Sequence, residues 1–120
     1  MAFFSDEMAA MLETYQAEAT DLMGIFDRLV LAGTQKNNFT TEEINEIFRT
    51  AHTIKSSSAM MGLTTLSSLT HTMEELFSIF RDRPEAIKNQ VDSLTDLLYA
   101  YSDYVKAELS RMQAEDYAPR

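Results

Sequence analysis

Four side chains suited to chemistry lie close together in this sequence. His52 and Lys55 stand three residues apart, and His71 and Glu74 repeat that spacing later in the chain. Imidazole is a good nucleophile near neutral pH because much of it is uncharged. A carboxylate that accepts a hydrogen bond from one ring nitrogen orients the ring, and a lysine ammonium attracts the oxygens of an anion. An imidazole with a cation beside it, as His52 has in Lys55, suits a histidine that meets a phosphoryl donor.

His52 is expected on the flank of an amphipathic helix. The apolar residues of this helix recur at helical spacing and are Ile44, Ile47, Phe48, Ala51, Ile54 and Met61. At about 100° per residue they cluster on one side, and His52 lies roughly 120° from the centre of that stripe. The apolar side should face a core, so the imidazole should stay accessible to solvent.

The residues that follow His52 on its side of the helix are small or flexible. Ser56 and Ala59 come four and seven positions after it, and Met60 lies close to the same side. Small side chains leave room for a partner to approach the imidazole, and methionine can adapt to a partner's surface. We therefore predict a partner-binding surface formed by Ser56, Ala59 and Met60.

The helix that carries His52 is one of four that the sequence predicts. The four segments with helical apolar spacing are residues 5–32, 40–61, 64–82 and 84–112. Amphipathic helices joined by short links indicate an all-α, antiparallel, up-down-up-down four-helix bundle. We expect a single domain over residues 1–120, with a frayed tail at residues 113–120.

Local signals mark where the helices begin and end. Thr40 and Glu43 have the spacing of a capping box at the start of the second helix. Gly33 and Gly62 fit the residue after the first and the second helix, where glycine accepts a left-handed backbone at little cost. Pro84 fits the first position of the fourth helix. These signals place the helix that carries His52 between Thr40 and Gly62.

The composition narrows the range of functions. With 120 residues and a formal net charge of −9, the chain lacks the clustered positive charge that nucleic acid or an anionic membrane surface attracts. No apolar run approaches the roughly 20 residues that span a membrane. The absence of cysteine excludes disulfides and fits a cytoplasmic protein. We expect a cytoplasmic monomer that binds neither nucleic acid nor membrane.

The stretch AHTIKSSSAMMGL, which contains His52 and Lys55, resembles the phosphoacceptor motif of histidine phosphotransfer (HPt) domains. The likeness is greatest to the N-terminal HPt domains of chemotaxis histidine kinases. It continues through LSSLTHTMEELFSIFRD, where His71 and Glu74 match a second pair of the family. The resemblance implies that His52 accepts a phosphoryl group and that Lys55, His71 and Glu74 form a cluster around it. Ser56 departs from the family, which usually has glycine there, but serine is also small.

This resemblance implies a relay in two-component signalling of the chemotaxis type. A histidine kinase catalytic domain would phosphorylate His52 with ATP. The receiver domain of a response regulator would take the group onto its own aspartate, with Mg²⁺ held by the receiver. The chain itself has neither a Gly-rich phosphate loop nor a Walker lysine. We therefore expect no autonomous kinase activity and no cofactor or metal bound by this chain.

Two other interpretations fit the same residues. His52, His71 and Glu74 could supply the three protein ligands of a catalytic zinc ion, although no HExxH pattern is present and Lys55 opposes a cation. Alternatively, the chain is a helical protein-interaction adaptor that has the fold and carries no phosphate. Incubation with a cognate kinase and labelled ATP separates a phosphoacceptor from both alternatives.

Overall fold

A computed structural model describes residues 3–112, 114 and 117–119 of the chain. These residues form four α-helices and one short 3₁₀ helix, and they contain no strand. The α-helices are α1 (Asp6–Lys36), α2 (Thr41–Met60), α3 (Thr64–Asp82) and α4 (Val91–Arg111). The 3₁₀ helix, Pro84–Ile87, lies between α3 and α4. The all-α fold expected from the sequence is confirmed.

Helices that follow one another in the chain run in opposite directions. α1 packs against α2 and α4, and α2 packs against α3. At about 1.5 Å per residue, the 31 residues of α1 span about 46 Å, close to the 48 Å length of the molecule. Because short links join helices of this length, the topology is up-down-up-down, as predicted.

Each helix buries one apolar side and leaves the other side polar. The largest wholly buried side chains include Phe26 of α1, Ile47 of α2, Phe77 of α3 and Leu98 of α4. Since the apolar side of each helix must face this core, the rotation of each helix about its axis is fixed. None of the helices in the described segments is both long and apolar enough to cross a membrane.

Two buried hydroxyl pairs cross the core and add directional contacts. Tyr15 of α1 and Ser58 of α2 have hydroxyl oxygens 2.7 Å apart, and so do Thr70 of α3 and Tyr101 of α4. Burial raises the pKa of both tyrosine hydroxyls, so they stay protonated at physiological pH. A buried hydroxyl without a partner is costly, so these pairs favour one alignment of the helices.

The end of α1 differs from the prediction. The sequence predicts Gly33 as the residue after α1, but the helix continues to Lys36 and ends at Asn37, whose backbone is left-handed with φ 55°. Gly33 is buried inside the helix, where the ring of Phe39 leaves no room for a β-carbon. The glycine therefore serves a close contact with the next loop and not helix termination, so this prediction is wrong.

Both ends of α2 follow the sequence signals. The Thr40 hydroxyl accepts a hydrogen bond from the Glu43 amide at 3.1 Å, and the Glu43 carboxylate accepts one from the Thr40 amide at 2.8 Å. This capping box is confirmed. At the other end, Gly62 has a left-handed backbone with φ 75°, which turns the chain directly into α3. The two signals fix the length of the helix that carries His52.

The link between α3 and α4 is longer than predicted. Pro84 begins a separate 3₁₀ helix that ends at Ile87, and α4 begins only at Val91. Ile87 is buried, which anchors this turn on the bundle, and Asn89 takes a left-handed backbone with φ 68° that redirects the chain. Pro84 is therefore the first residue of a turn, and its predicted place at the start of α4 is wrong.

The tail after α4 returns to the bundle at Tyr117. The predicted frayed tail, residues 113–120, falls partly on residues 113, 115, 116 and 120, which lie outside the described part of the chain. Tyr117 itself is buried: its hydroxyl donates to Oε2 of Glu108 at 2.8 Å, and its ring stacks on Phe4 with 5.7 Å between centroids. Cζ of Arg111 lies 5.0 Å from the centroid of the same ring. Tyr117 therefore contacts the bundle, and the fraying of residues 113–120 stays a prediction.

Candidate functional site

His52 lies in the middle of α2, on the side away from the core. Its neighbours Ala51 and Ile54 are buried, whereas 58% of the His52 side chain is exposed. The predicted position on the helix flank is confirmed. A molecule can therefore reach the imidazole from solvent. Because His52 lies in the middle of a helix and not at one of its ends, the position of its backbone is fixed.

Glu74 of α3 holds one nitrogen of the His52 ring. Its atom Oε2 is hydrogen-bonded to Nδ1 of His52, and only 10% of the Glu74 side chain is exposed. An ionised carboxylate can only accept hydrogen bonds, so Nδ1 must carry the proton. Among the described residues, Nε2 of His52 has no hydrogen-bond partner. Glu74 thus selects the tautomer in which Nε2 has the free lone pair.

Lys55 contacts the other oxygen of the same carboxylate. Its Nζ donates to Oε1 of Glu74 at 2.7 Å, and 26% of the lysine side chain is exposed. Burial alone would raise the pKa of the Glu74 carboxyl, but the hydrogen bonds from Lys55 and His52 outweigh burial and hold that pKa below its usual range. Glu74 is therefore ionised at neutral pH, as the tautomer of His52 requires.

His71 belongs to the same cluster but is connected to His52 through Glu74. Its Nδ1 lies 3.4 Å from Oε1 of Glu74, and its Nε2 lies 2.6 Å from Oε1 of Glu75. Within the described part of the chain, the polar contacts of its ring nitrogens are with these carboxylates and not with the imidazole of His52. The structure therefore brings three of the predicted residues together around the carboxylate of the fourth, Glu74.

A short turn and one hydrogen bond between α2 and α3 place His52 and Glu74 at the same height along the bundle. His52 lies ten residues before the turn at residues 62–64 and Glu74 ten residues after it, which is about 15 Å along each helix. The hydroxyl of Ser67 on α3 donates to the backbone carbonyl of Lys55 on α2 at 3.1 Å. Sequence analysis missed this bond, because a polar helix face does not show which hydroxyl meets a backbone carbonyl.

An aromatic ring and a guanidinium complete the surroundings of His52. The ring of Phe48, one turn before His52 on α2, stacks against the imidazole with 6.4 Å between centroids and 18° between planes. Cζ of Arg81 from α3 lies 4.2 Å from the centroid of the Phe48 ring. The four-residue spacing between Phe48 and His52 is the one sequence signal for this contact, and no pattern in the sequence points to Arg81.

The three residues predicted to form a partner-binding surface are exposed. Ser56, Ala59 and Met60 lie on α2 after His52, and Met60 is 73% exposed. An open apolar groove between α1 and α2 continues from Met60 to Met11, which is 47% exposed. These positions suit a surface that a partner contacts, and the contact itself stays a prediction.

The cluster does not have the arrangement of a metal site. In the part of the chain that the structure describes, no group of three or more His, Cys, Asp and Glu side chains is placed to hold a metal ion. One oxygen of Glu74 is already bonded to the ammonium of Lys55. The zinc interpretation of His52, His71 and Glu74 therefore gains no support from the geometry.

The fold and the cluster together define a class of protein. They combine a four-helix bundle with an exposed imidazole on the second helix, oriented by a carboxylate from the third. The sequence model of the Hpt domain family matches residues 10–115. The chain therefore belongs to the Hpt domain family and is a histidine phosphotransfer module of two-component signalling. The resemblance found in the sequence is confirmed.

Proteins of bacterial chemotaxis are similar to this chain. It is 35% identical over 104 residues to the chemotaxis protein CheA of Borreliella burgdorferi, a match that covers 87% of the chain and 12% of the relative. It is 33% identical to the sensor histidine kinase CheAY of Helicobacter pylori, over 87% of the chain and 12% of the relative. It is 30% identical to CheA of Listeria monocytogenes, over 86% and 16%. The chain thus spans less than a fifth of the length of these relatives. No solved structure matches it significantly.

Proposed function

We propose that His52 is the phosphoacceptor of this module and that the module works in chemotaxis-type signalling. It receives a phosphoryl group from the catalytic domain of a histidine kinase and passes it to an aspartate on the receiver domain of a response regulator. The observation that carries this proposal is the hydrogen bonding and exposure of the His52 imidazole. Nδ1 is bonded to Glu74, while Nε2 has no partner in the described chain and the side chain is mostly exposed. Similarity to chemotaxis proteins supports a role in chemotaxis-type signalling.

In the first step, Nε2 of His52 attacks the γ-phosphorus of an ATP molecule that the kinase domain holds. The bond from this phosphorus to the β,γ-bridging oxygen breaks, and ADP leaves with the electron pair. The ring keeps its proton on Nδ1 and becomes positively charged. The carboxylate of Glu74 beside Nδ1 stabilises that charge, so it favours formation of the phosphorylated ring.

In the second step, a carboxylate oxygen of the receiver aspartate attacks the phosphorus. The nitrogen–phosphorus bond breaks, and its electron pair returns to Nε2 of His52. The receiver approaches over Ser56 and Ala59, whose small side chains leave room, and it contacts Met60. A Mg²⁺ ion held by the receiver neutralises the phosphoryl oxygens during this transfer. ATP and Mg²⁺ therefore belong to the partner domains, and the chain itself uses no cofactor.

Lys55 and His71 support the imidazole from two sides of the same carboxylate. The ammonium of Lys55, one turn from His52, keeps Glu74 ionised and provides a positive charge near the phosphoryl oxygens. His71 contacts Glu74 from its own helix and limits the movement of the carboxylate. The cluster thus acts on the phosphoacceptor through charge and orientation.

The proposal is tested by incubating the chain with a histidine kinase catalytic domain and radiolabelled ATP. The chain contains 2 histidines, His52 and His71, so two substitutions decide which one is labelled. His52→Gln should take up no acid-labile label, whereas the matched variant His71→Gln should still take it up. Circular dichroism should show that both variants keep the helical fold, since both side chains are about half exposed and glutamine is a good helix former.

The outcomes of this experiment separate the interpretations. Label that persists in His52→Gln and disappears in His71→Gln would make His71 the phosphoacceptor. A folded parent chain that takes no label from the kinase domain would favour the helical adaptor. Incubation with ATP alone should give no label, because the sequence has no phosphate-binding loop. The cytoplasmic location and the monomeric state stay predictions.

A further inference from the structure

Three side chains from two helices form a stack that ends at His52, the proposed phosphoacceptor. Arg81 of α3 lies over the ring of Phe48, with 4.2 Å from Cζ to the ring centroid. Phe48 in turn stacks against His52, with 6.4 Å between the ring centroids and 18° between the planes. Both distances fall in the range of favourable cation–π contacts and offset-stacked rings. The imidazole therefore has an aromatic neighbour as well as Glu74.

The ring of Phe48 is held by both helices. Phe48 precedes His52 by four residues, so the two side chains are neighbours on the surface of α2. It is partly buried and packs against the core. The guanidinium of Arg81 is exposed and forms no ion pair with any residue that the structure describes, so it is directed at the ring and not at a carboxylate. A ring held in this way provides a fixed surface for the imidazole.

Glu74 alone leaves part of the orientation of the imidazole open. Its hydrogen bond constrains one atom, Nδ1 of His52, and the tilt of the ring can change while that bond is kept. A second ring stacked against the imidazole restrains this tilt. The direction of the Nε2 lone pair depends on the tilt, and phosphoryl transfer requires the attacking and leaving atoms to lie roughly in line.

We propose that Phe48, clamped by Arg81, is a positioning residue that sets the plane of the His52 imidazole for phosphoryl transfer. This inference rests on the proposed role of His52 as phosphoacceptor. Two simpler roles for Phe48 make different predictions. Core packing would change stability and leave the imidazole unaffected, and contact with a partner would change KM and leave the imidazole of the free chain unaffected.

The first measurement is NMR spectroscopy of the free chain. Three-bond couplings and nuclear Overhauser effects of the His52 ring report its orientation. In Phe48→Leu the imidazole should average between orientations, whereas Phe48→Tyr keeps an aromatic ring and should retain the parent orientation. Phe4→Leu is the matched control, because Phe4 is also a partly buried phenylalanine but stacks with Tyr117.

A second pair of variants tests the contact of Arg81 with Phe48 without changing an apolar side chain. Arg81→Gln removes the cation over Phe48 and should increase the motion of the His52 ring, to a smaller extent than Phe48→Leu. Arg49→Gln is the control, since it makes the same change of charge at an exposed arginine of α2 that pairs with Glu46. Because Arg81 is exposed, its variant should fold even if Phe48→Leu does not.

The second measurement is the rate of phosphorylation by a histidine kinase catalytic domain with labelled ATP. Poor alignment of the nucleophile lowers kcat, and we expect Phe48→Leu to lower it about three- to tenfold, less than the roughly 100-fold cost of a 1 Å misplacement. KM should stay near the parent value. Phe48→Tyr should restore kcat, and both control variants should match the parent chain.

The possible results distinguish a failure of this inference from a failure of the proposed function. An unchanged His52 orientation in both Phe48→Leu and Arg81→Gln overturns the positioning role, whatever happens to the rates. A raised KM with an unchanged orientation would identify Phe48 as a partner contact instead. If the parent chain takes no label on His52, the proposed function itself fails. If the parent is labelled and the Phe48 variants have its kcat, only the positioning role is refuted.

Discussion

Ser67 of α3 donates a hydrogen bond from its hydroxyl to the backbone carbonyl of Lys55 on α2, over 3.1 Å. This bond joins the two helices about one turn from His52. Because the acceptor is a backbone atom, the bond fixes the position of α2 itself and not that of a flexible side chain. The meeting of His52 with Glu74 depends on this alignment of the two helices.

Ser67→Ala should lower the free energy of unfolding by about 1 kcal/mol, the usual net contribution of one hydrogen bond. The higher helix propensity of alanine offsets part of this loss. Urea denaturation measures the change. Ser68→Ala, at an exposed position of the same helix, is the control and should be at least as stable as the parent. Equal destabilisation by both substitutions would show that the bond from Ser67 contributes nothing.

Glu74→Gln should slow phosphorylation of His52 without abolishing it. Glutamine lacks the charge that stabilises the phosphorylated ring, whereas the nucleophilic nitrogen remains. We expect the rate to fall about 10- to 100-fold, as when a metal-bound histidine loses the group that orients it. The label taken up from ATP in the presence of the kinase domain measures this rate. Glu75→Gln, at a side chain that is 65% exposed and contacts His71, should react at nearly the parent rate.

The cluster should lose its contribution to stability in acid. Burial alone would raise the pKa of Glu74, but Lys55 and His52 hold it below the usual value of about 4.3. Folding therefore favours the ionised carboxylate, so this stability is full above the usual pKa and is lost as the pH falls through the lower pKa of the folded chain. Urea denaturation at a series of acidic pH values should show the difference between the parent and Glu74→Gln shrinking. A difference that stays constant would contradict this account.

Ser56→Trp should slow transfer from phosphorylated His52 to a receiver while leaving the unfolding temperature nearly unchanged. Ser56 is exposed one turn after His52, so an indole there enters solvent in the free chain but obstructs a partner. Rapid-quench measurement of label transfer gives the rate. Ser68→Trp, at an exposed position of α3, is the control for a bulky surface residue. Equal transfer rates for Ser56→Trp and the parent would count against this docking surface.

Replacing each of the two glycines inside α1 by alanine should change the stability of the chain in opposite directions. No atom lies within 4 Å of the place that a β-carbon of Gly24 would take, so Gly24→Ala should stabilise the chain by up to about 1 kcal/mol. A β-carbon at Gly33 would overlap the buried ring of Phe39, so Gly33→Ala should destabilise the chain by about 1 to 3 kcal/mol. Thermal unfolding compares the two variants, and each is the control for the other. A stabilising effect at both positions would mean that Phe39 moves aside freely.

Features that depend on residues near one another in the chain could be predicted from the sequence. The helical period was enough to place His52 on the flank of α2, and the short turn at Gly62 was enough to place Glu74 at a matching height. The capping box of Thr40 and Glu43 is equally local. Each of these features follows from spacing within one helix or across one tight turn.

Features that depend on contacts between elements could not be predicted. The role of Gly33 is decided by the place to which Phe39 returns after the loop. The contact of Arg81 with Phe48 joins two helices whose separation and offset along the bundle no periodicity within either helix specifies. Pro84 has the same spacing signal in a short 3₁₀ turn as at the start of a long helix.

His52, Lys55, His71 and Glu74 all lie inside helices, and none of them lies in a loop. The conformational entropy of their backbone is therefore lost when the chain folds and not when another molecule arrives. Two different partners would meet the same preformed pattern of charges, and neither would have to order it first. The strength of each encounter would then be set by the contact surface, and a chain that binds one partner, releases it and binds the next would not have to refold any part of its site.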